Sequence, residues 1–148
     1  MKYFAYGSNM NPQRMRERKI NYTSRIAASL QGYSLKFNKV ASRNPLEEGY
    51  ANIVPEAKGV VEGVLYEIQE ADLKNLDKYE GYPDNYDRQK VKVLTVTGQE
   101  EAIAYIACPD KIREGLKPAR EYLVHLLAAK DMLSEDYYRK LLCYDTLD

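Results

Sequence analysis

The segment from Gly59 to Ile68 constrains the fold of this chain more than any other. Its residues alternate in the manner of a strand, yet both alternating rows carry apolar side chains: Val64 and Tyr66 in one, Val61 and Leu65 in the other. A strand with apolar side chains on both faces is buried on much of both faces. We therefore predict that this segment is the central strand of a sheet and that other elements cover it on each side.

Other parts of the chain also predict strands, because they alternate apolar and polar residues or are rich in β-branched and aromatic side chains. Gly32 interrupts the longest of them, so that region is either one long bent strand or two short ones. Ser42–Gly49, which contains Asn44-Pro45, predicts a loop. The predicted strands are Lys2–Tyr6, Tyr22–Val40, Tyr86–Thr97 and Glu101–Ala107, the last two joined by a hairpin turn at Gly98-Gln99.

Four helices are predicted from their start and stop signals. Asn11 is an N-cap amide followed by Pro12 at the first helical position, and Ser134 is a second N-cap. The predicted helices run from Pro12 to about Lys19, from Glu70 to Gly81, from Pro118 to Lys130 and from Ser134 to Cys143. Strands predominate early and helices late, which indicates the α+β class, and 148 residues suit a single domain, 1–148.

Charge and hydropathy argue against two classes of function. The chain has 22 lysine and arginine residues and 22 aspartate and glutamate residues, so its net charge is zero. It therefore lacks the excess of positive charge that is typical of proteins that bind nucleic acid. No apolar run approaches the ~20 residues that span a bilayer, and the N-terminal apolar stretch ends too early for a secretory signal. We therefore expect a cytoplasmic protein that binds neither nucleic acid nor a membrane.

A basic cluster in the first helix leaves one nucleic-acid alternative open. Arg14, Arg16, Arg18 and Lys19 could form an RNA-binding surface. Glu17 lies among them and the total charge is neutral, which favours a solvated helix face instead.

Metal and serine-nucleophile sites are not predicted. Cys108 and Cys143 lie far apart with no CxxC spacing, and His125 is the only histidine, so no zinc site is expected. Ser8 as a nucleophile would need a base, but the helical pattern places His125 on a solvated surface.

Glu80 is the strongest candidate for acid–base chemistry. At about 100° per residue it lies within about 20° of Leu73 on the apolar stripe of its helix, near Leu76. Desolvation there and the negative end of the helix dipole both disfavour its charge, so we expect a raised pKa. That tuning suits a carboxylate acting as general base and then general acid near neutral pH. The alternative is a glutamate that extends past the helix end into solvent.

The turn Tyr6-Gly7-Ser8-Asn9 is the second candidate. A strand that ends in glycine and small polar residues before a helix exposes backbone N–H groups, which can bind a carboxylate or a developing oxyanion. An ordinary strand-to-helix turn is the alternative. The 14 tyrosines, against two phenylalanines and no tryptophan, also suit a pocket that binds a polar small molecule.

Several short motifs, in this order along nearly the whole chain, resemble the γ-glutamylcyclotransferase family, which includes AIG2-like proteins. Ala128-Ala129 departs from the family, whose members often have Gly-Ala there, and this affects helix packing more than chemistry. The motifs are Phe4-Ala5-Tyr6-Gly7-Ser8-Asn9-Met10, Gly49-Tyr50-Ala51-Asn52-Ile53-Val54-Pro55, Val61-Glu62-Gly63-Val64-Leu65-Tyr66, Leu76-Asp77-Lys78-Tyr79-Glu80-Gly81-Tyr82, and the C-terminal Lys117–Leu123 and Leu133–Tyr138.

The resemblance implies a mixed β-barrel surrounded by helices and a cavity that holds a γ-glutamyl group. In such acyltransferase-type enzymes the free α-amine attacks the γ-carbonyl, which releases 5-oxoproline and an amine or amino acid without a metal or cofactor. The family's catalytic glutamate falls on Glu80 and its anion-binding turn on Gly7, Ser8 and Asn9, after Tyr6. Its pocket tyrosines fall on Tyr86, Tyr105 and Tyr122.

Two functions therefore remain open at this point. One is a cyclotransferase acting on a γ-glutamyl amine or amino acid; the other is a non-catalytic domain of the same fold that binds a small anionic metabolite or a partner protein. The sequence leaves open the leaving group, the oligomeric state and whether the turn at Gly7 binds the α-carboxylate or the oxyanion.

Overall fold

The computed structural model describes residues 1–148, in which five strands close into a barrel in the order β1-β3-β2-β4-β5. All neighbouring pairs are antiparallel except β1 and β5, which are parallel, so the predicted mixed barrel of the α+β class is confirmed. The strands are β1 (Lys2–Ala5), β2 (Ser24–Val40), β3 (Gly49–Glu67), β4 (Tyr86–Thr95) and β5 (Gly98–Ala107).

The predicted central strand lies in β3, where Val61, Val64, Leu65 and Tyr66 are all buried although their side chains alternate between the two faces of the strand. β3 begins at Gly49 rather than near Gly59, because its pairing with β2 continues to the Val40–Gly49 pair. The sequence pattern missed this extension because residues 55–58 are exposed and interrupt the apolar alternation. β2 is one long strand, and its register shifts next to Gly32, where φ is +86°.

The hairpin between β4 and β5 turns two residues earlier than predicted. β4 ends at Thr95 and β5 begins at Gly98, so Val96 and Thr97 form the turn. The Thr95 hydroxyl explains this position: it accepts from the Thr97 N–H at 3.2 Å and donates to the Gly98 carbonyl at 2.9 Å. The glycine still takes part, since Gly98 follows the two turn residues with a positive φ of 120°.

Four helices surround the barrel, and the caps predicted at Asn11, Gly81 and Ser134 are present. Asn11 Oδ1 accepts from the Gln13 N–H at 3.0 Å, and Ser134 Oγ accepts from the Tyr137 N–H at 3.3 Å. Gly81 ends its helix in the left-handed conformation with φ of 64°, which glycine adopts without steric cost. Three helices are shorter than predicted; the four are α1 (Pro12–Glu17), α2 (Glu70–Glu80), α3 (Arg120–Leu127) and α4 (Glu135–Leu142).

One continuous cluster of buried apolar side chains links the barrel interior to the helices. Phe4 and Val64 from the strands, Leu76 from α2 and Leu126 from α3 are all fully buried in it. This packing holds α2 and α3 against the barrel. None of the helices is long and apolar enough to cross a membrane.

Candidate functional site

A cavity of about 710 Å³ opens between α1, α3, the C-terminal end of α2 and the end of β2. A second pocket of about 30 Å³ adjoins it, and Ser8, Glu80, Tyr86 and Tyr122 line both. The smaller pocket brings together nearly all the predicted site residues; its lining comprises Tyr3, Tyr6, Gly7, Ser8, Ala51, Glu80, Tyr86, Tyr105 and Tyr122.

Glu80, the last residue of α2, lies half-buried where the two spaces meet. Burial raises its pKa from 4.5 to about 7, and the nearby Arg18 and Arg14 guanidinium groups limit the rise. The raised pKa expected from the helical pattern is therefore present, with desolvation as its main cause. Glu80 makes no ion pair within 4.0 Å, and the guanidinium of Arg88 lies 3.5 Å from Asp77 Oδ1.

Asn9 contacts Glu80 through its side chain and not only through the backbone turn. Its amide nitrogen donates to Glu80 Oε1 at 3.2 Å and to the Tyr3 hydroxyl at 3.0 Å, while its Oδ1 accepts from Arg18 at 3.0 Å. Asn9 is only 3% exposed, so these bonds hold the carboxylate in one orientation. No local pattern predicts this contact, because Asn9 and Glu80 are 71 residues apart.

Gly7 lies close to two side chains of the pocket wall. A Cβ at this position would lie 3.0 Å from the Ala51 Cβ and 3.3 Å from the Tyr122 hydroxyl. The Gly7 N–H donates to no backbone carbonyl. It therefore remains available at the edge of the pocket, beside Tyr122.

The predicted tyrosines form a wall of neutral phenols. The Tyr86 hydroxyl donates to the Ala51 carbonyl at 2.8 Å, and the Tyr105 hydroxyl donates to Asp77 Oδ1 at 2.6 Å. The Tyr6 hydroxyl donates to the Tyr105 carbonyl. Burial raises the pKa of all four tyrosines, that of Tyr122 to about 12, so these hydroxyls stay protonated near neutral pH.

Tyr122 also has a structural role that Tyr122→Phe will expose. Its hydroxyl accepts from the Ala51 N–H at 3.1 Å, and phenylalanine would leave that buried donor without a partner. We expect the free energy of unfolding to fall by about 1–3 kcal/mol in urea titrations. Tyr79→Phe, at a tyrosine that is 52% exposed, is the control and should change it little. Equal stability of the two variants would show that the Ala51 bond contributes nothing.

Two cations of the basic cluster lie in the cavity wall, which corrects the prediction of a solvated face. Arg14 and Arg18 line the cavity and are half-buried, whereas Arg16 and Lys19 are exposed. Their i, i+4 spacing, which puts two side chains on one helix face, was the signal that could have found them. Only half of the cluster is thus left to form a basic outer surface.

Lys39, near the end of β2, is a further cavity residue that the sequence analysis did not identify. It is 6% exposed, and its Nζ lies 5.6 Å from the ring centre of Tyr50 and 5.5 Å from that of Tyr86. Burial lowers its pKa. A lysine in a strand rich in polar residues has no pattern that separates a cavity position from a solvated one.

His125 is not the solvated surface residue that the helical pattern predicted. It is half-buried and lines the cavity, and its Nδ1 lies 3.0 Å from Asn11 Nδ2. Burial and the neighbouring Arg14 lower its pKa, which keeps the ring neutral near pH 7. The structure holds no group of three His, Cys, Asp or Glu side chains that could bind a metal, and both cysteines are free thiols.

Comparison with known proteins gives consistent matches. The family model for Gamma-glutamyl cyclotransferase, AIG2-like, matches residues 3–124. The human gamma-glutamylcyclotransferase is 29% identical over 147 residues, covering 94% of this chain and 76% of the human protein. A stretch of 74 residues is 36% identical to protein MJ1514 of Methanocaldococcus jannaschii, which covers 45% of this chain and 62% of that protein.

A solved structure of a gamma-glutamyl cyclotransferase superimposes on the whole chain. The TM-score is 0.86 at 26% identity, with 100% of this chain and 89% of that chain covered. The barrel with its surrounding helices is therefore the fold that the sequence motifs implied.

Proposed function

The chain belongs to the gamma-glutamyl cyclotransferase, AIG2-like family, and on that premise we propose that it converts γ-glutamyl compounds into 5-oxoproline and a free amine or amino acid. The observation that carries the proposal is Glu80, a carboxylate with a pKa of about 7 at the junction of the two spaces. A carboxylate poised near the working pH can both accept and return a proton.

The chemistry of the substrate requires such a group. The α-ammonium group is not a nucleophile until it loses a proton, which Glu80 accepts. The amine nitrogen then bonds to the γ-carbonyl carbon, and the bond from that carbon to the leaving nitrogen breaks. Glu80 returns the proton to the leaving nitrogen, and the ring nitrogen then loses a second proton that departs on the released amine, so one carboxylate can carry both protons in turn.

The residues around Glu80 are suited to positioning the substrate and to binding the charge that develops on it. Holding the glutamyl chain curled brings amine and carbonyl into contact, and effective molarity supplies much of the acceleration. Asn9 orients Glu80 at 3.2 Å, and the free Gly7 N–H is available to a carboxylate or a developing oxyanion. The Tyr6, Tyr86 and Tyr122 phenols supply neutral oxygen atoms around them.

A panel of γ-glutamyl compounds tests the proposal. Purified protein is incubated with γ-glutamyl amino acids, glutathione and γ-glutamyl amines, and 5-oxoproline is measured. The corresponding α-glutamyl isomers are the control, since they lack the γ-amide that must break. Thermal-shift measurements run beside it, because a ligand that stabilises the protein without being consumed would favour the non-catalytic alternative. Absence of 5-oxoproline from every compound would contradict the proposal.

The pH dependence of kcat/KM should report Glu80. The protonated carboxyl cannot accept a proton, so we expect kcat/KM to fall about tenfold per pH unit well below pH 7 and to show an apparent pKa of about 7. Initial rates between about pH 5 and 9 measure this. A profile that stays flat to pH 5 would show that no group with this pKa acts as the base.

A single domain over 1–148, a cytoplasmic location, independence from cofactors and the absence of nucleic-acid binding stay predictions. Purified protein treated with a chelator and dialysed should retain its activity if no metal is needed. Loss of 5-oxoproline formation that returns with an added metal ion would contradict that expectation.

A further inference from the structure

Lys39 places its amine on the cavity wall, where Glu80 is the one carboxylate side chain whose charge acts on it. It forms no ion pair within 4.0 Å, and its Nζ donates one hydrogen bond, at 2.9 Å, to the carbonyl of the next residue, Val40. The Tyr50 and Tyr86 rings flank the ammonium group. An ammonium has three N–H donors, so two remain for a group in the cavity.

Such an arrangement is costly unless something binds there. Burying an ammonium without a charged partner destabilises a protein, and aromatic faces compensate only in part. Lys39 is nonetheless 6% exposed and lies on the cavity wall. An anionic group of the ligand is the partner that would satisfy both its charge and its free donors.

The charge balance of the whole cavity supports an anionic ligand. Arg43, at the rim, is already paired with Glu48 and Glu121. Glu80 is therefore the one acidic group in the cavity that faces the unpaired cations Arg14, Arg18 and Lys39. Arg14 is among these, and its Nε is buried without any hydrogen-bond partner.

The cationic side chains line the larger cavity and not the smaller pocket. The pocket of about 30 Å³ contains Glu80 and the Gly7 turn but no cationic side chain. Lys39 and Arg14 face only the cavity of about 710 Å³. A pocket of about 30 Å³ has room for little more than a water molecule, so a γ-glutamyl compound with its reacting amine and carbonyl at Glu80 extends into the larger cavity, where its leaving group meets the cationic side chains.

Resting on the proposed function, we propose that Lys39 is a specificity-determining residue whose ammonium binds a carboxylate on the leaving group. A γ-glutamyl amino acid or peptide has this carboxylate, and a γ-glutamyl amine does not. The enzyme therefore favours γ-glutamyl amino acids and peptides.

Two substrates that differ only in this carboxylate test the inference: γ-glutamyl-alanine and γ-glutamyl-ethylamide. Unmodified protein should turn over the first with a kcat/KM about 10- to 100-fold higher, the range expected for a charged hydrogen bond. Lys39→Met should remove most of that ratio, mainly through a higher KM for γ-glutamyl-alanine. Assays at about pH 8.5 keep Glu80 ionised in both proteins, so the ratio reports binding and not the state of the base.

Lys36→Met is the matched control, because Lys36 is an exposed lysine on the same strand and does not line the cavity. It should leave the ratio unchanged. Lys39→Gln provides a second variant that keeps a polar side chain without the charge, and it should lower the ratio as well. Thermal melts establish that each variant is folded.

Three outcomes would overturn the inference. They are equal kcat/KM for the two substrates in the unmodified protein, a ratio that survives both Lys39 variants, and an equal loss on both substrates, which would place Lys39 at the glutamyl end. Failure to form 5-oxoproline from any γ-glutamyl compound is a different result, since it contradicts the proposed function itself.

Discussion

Glu80→Gln is expected to lower kcat by at least about 100-fold, the range for a lost general base. Glutamine keeps the shape of glutamate and can still accept the Asn9 hydrogen bond, but it cannot take a proton from the substrate ammonium. KM should change little, because the contacts to the substrate remain. Steady-state measurement of 5-oxoproline formation gives both parameters.

Although Glu80→Gln should lose activity, it should not lose stability. The pKa of Glu80 is raised from 4.5 to about 7 in the folded protein, so its charge disfavours folding. The contribution of Glu80 to the free energy of unfolding is fully present below about pH 4.5, where the carboxyl is protonated. It is lost as the pH rises through about 7. Glu80→Gln should therefore be as stable as the unmodified protein at pH 4.5 and equally or more stable at pH 8, as denaturant titrations at both pH values would show.

Glu56→Gln, at an exposed glutamate on β3, is the matched control and should leave both activity and stability unchanged. Full cyclotransferase activity in Glu80→Gln would show that Glu80 is not the base. A clear loss of stability with normal activity per folded molecule would assign it a structural role instead.

Gly63→Ala is expected to cause a large loss of stability. β1 pairs with β3, and a Cβ at Gly63 would lie 2.3 Å from the Ala5 carbonyl oxygen and 2.9 Å from the Phe4 ring. One of these contacts is backbone, so β1 must move for the methyl group to fit. We expect the free energy of unfolding to fall by about 3 kcal/mol or more, the upper end for overpacking in a core.

Gly32→Ala separates this steric effect from the cost of backbone conformation. Gly32 has a positive φ of +86°, but an added Cβ would meet nothing within 4 Å. Its replacement should therefore cost only the conformational strain, about 1–2 kcal/mol. Denaturant unfolding of both variants compares the two effects, and a Gly63→Ala loss no greater than that of Gly32→Ala would show that β1 relaxes at little cost.

The sequence by itself determined the local structure wherever one periodic pattern or one cap dominates. The apolar alternation around Val64 identified the central strand, and α2 was located from Glu70 to its end at Gly81. The raised pKa of Glu80 followed from the same helical pattern. Such features depend on residues a few positions apart, so their physical cause is contained in the local sequence.

Only the tertiary structure decided which distant side chains share the cavity. Asn9 reaches Glu80 across 71 residues, and Lys39, Arg14 and His125 face the same space although their local patterns resemble solvated surface. Closing the barrel and packing α1 and α3 against its end turned those polar side chains inward. A polar residue has the same local pattern whether it faces solvent or a water-accessible cavity, so periodicity cannot distinguish the two; barrel closure does.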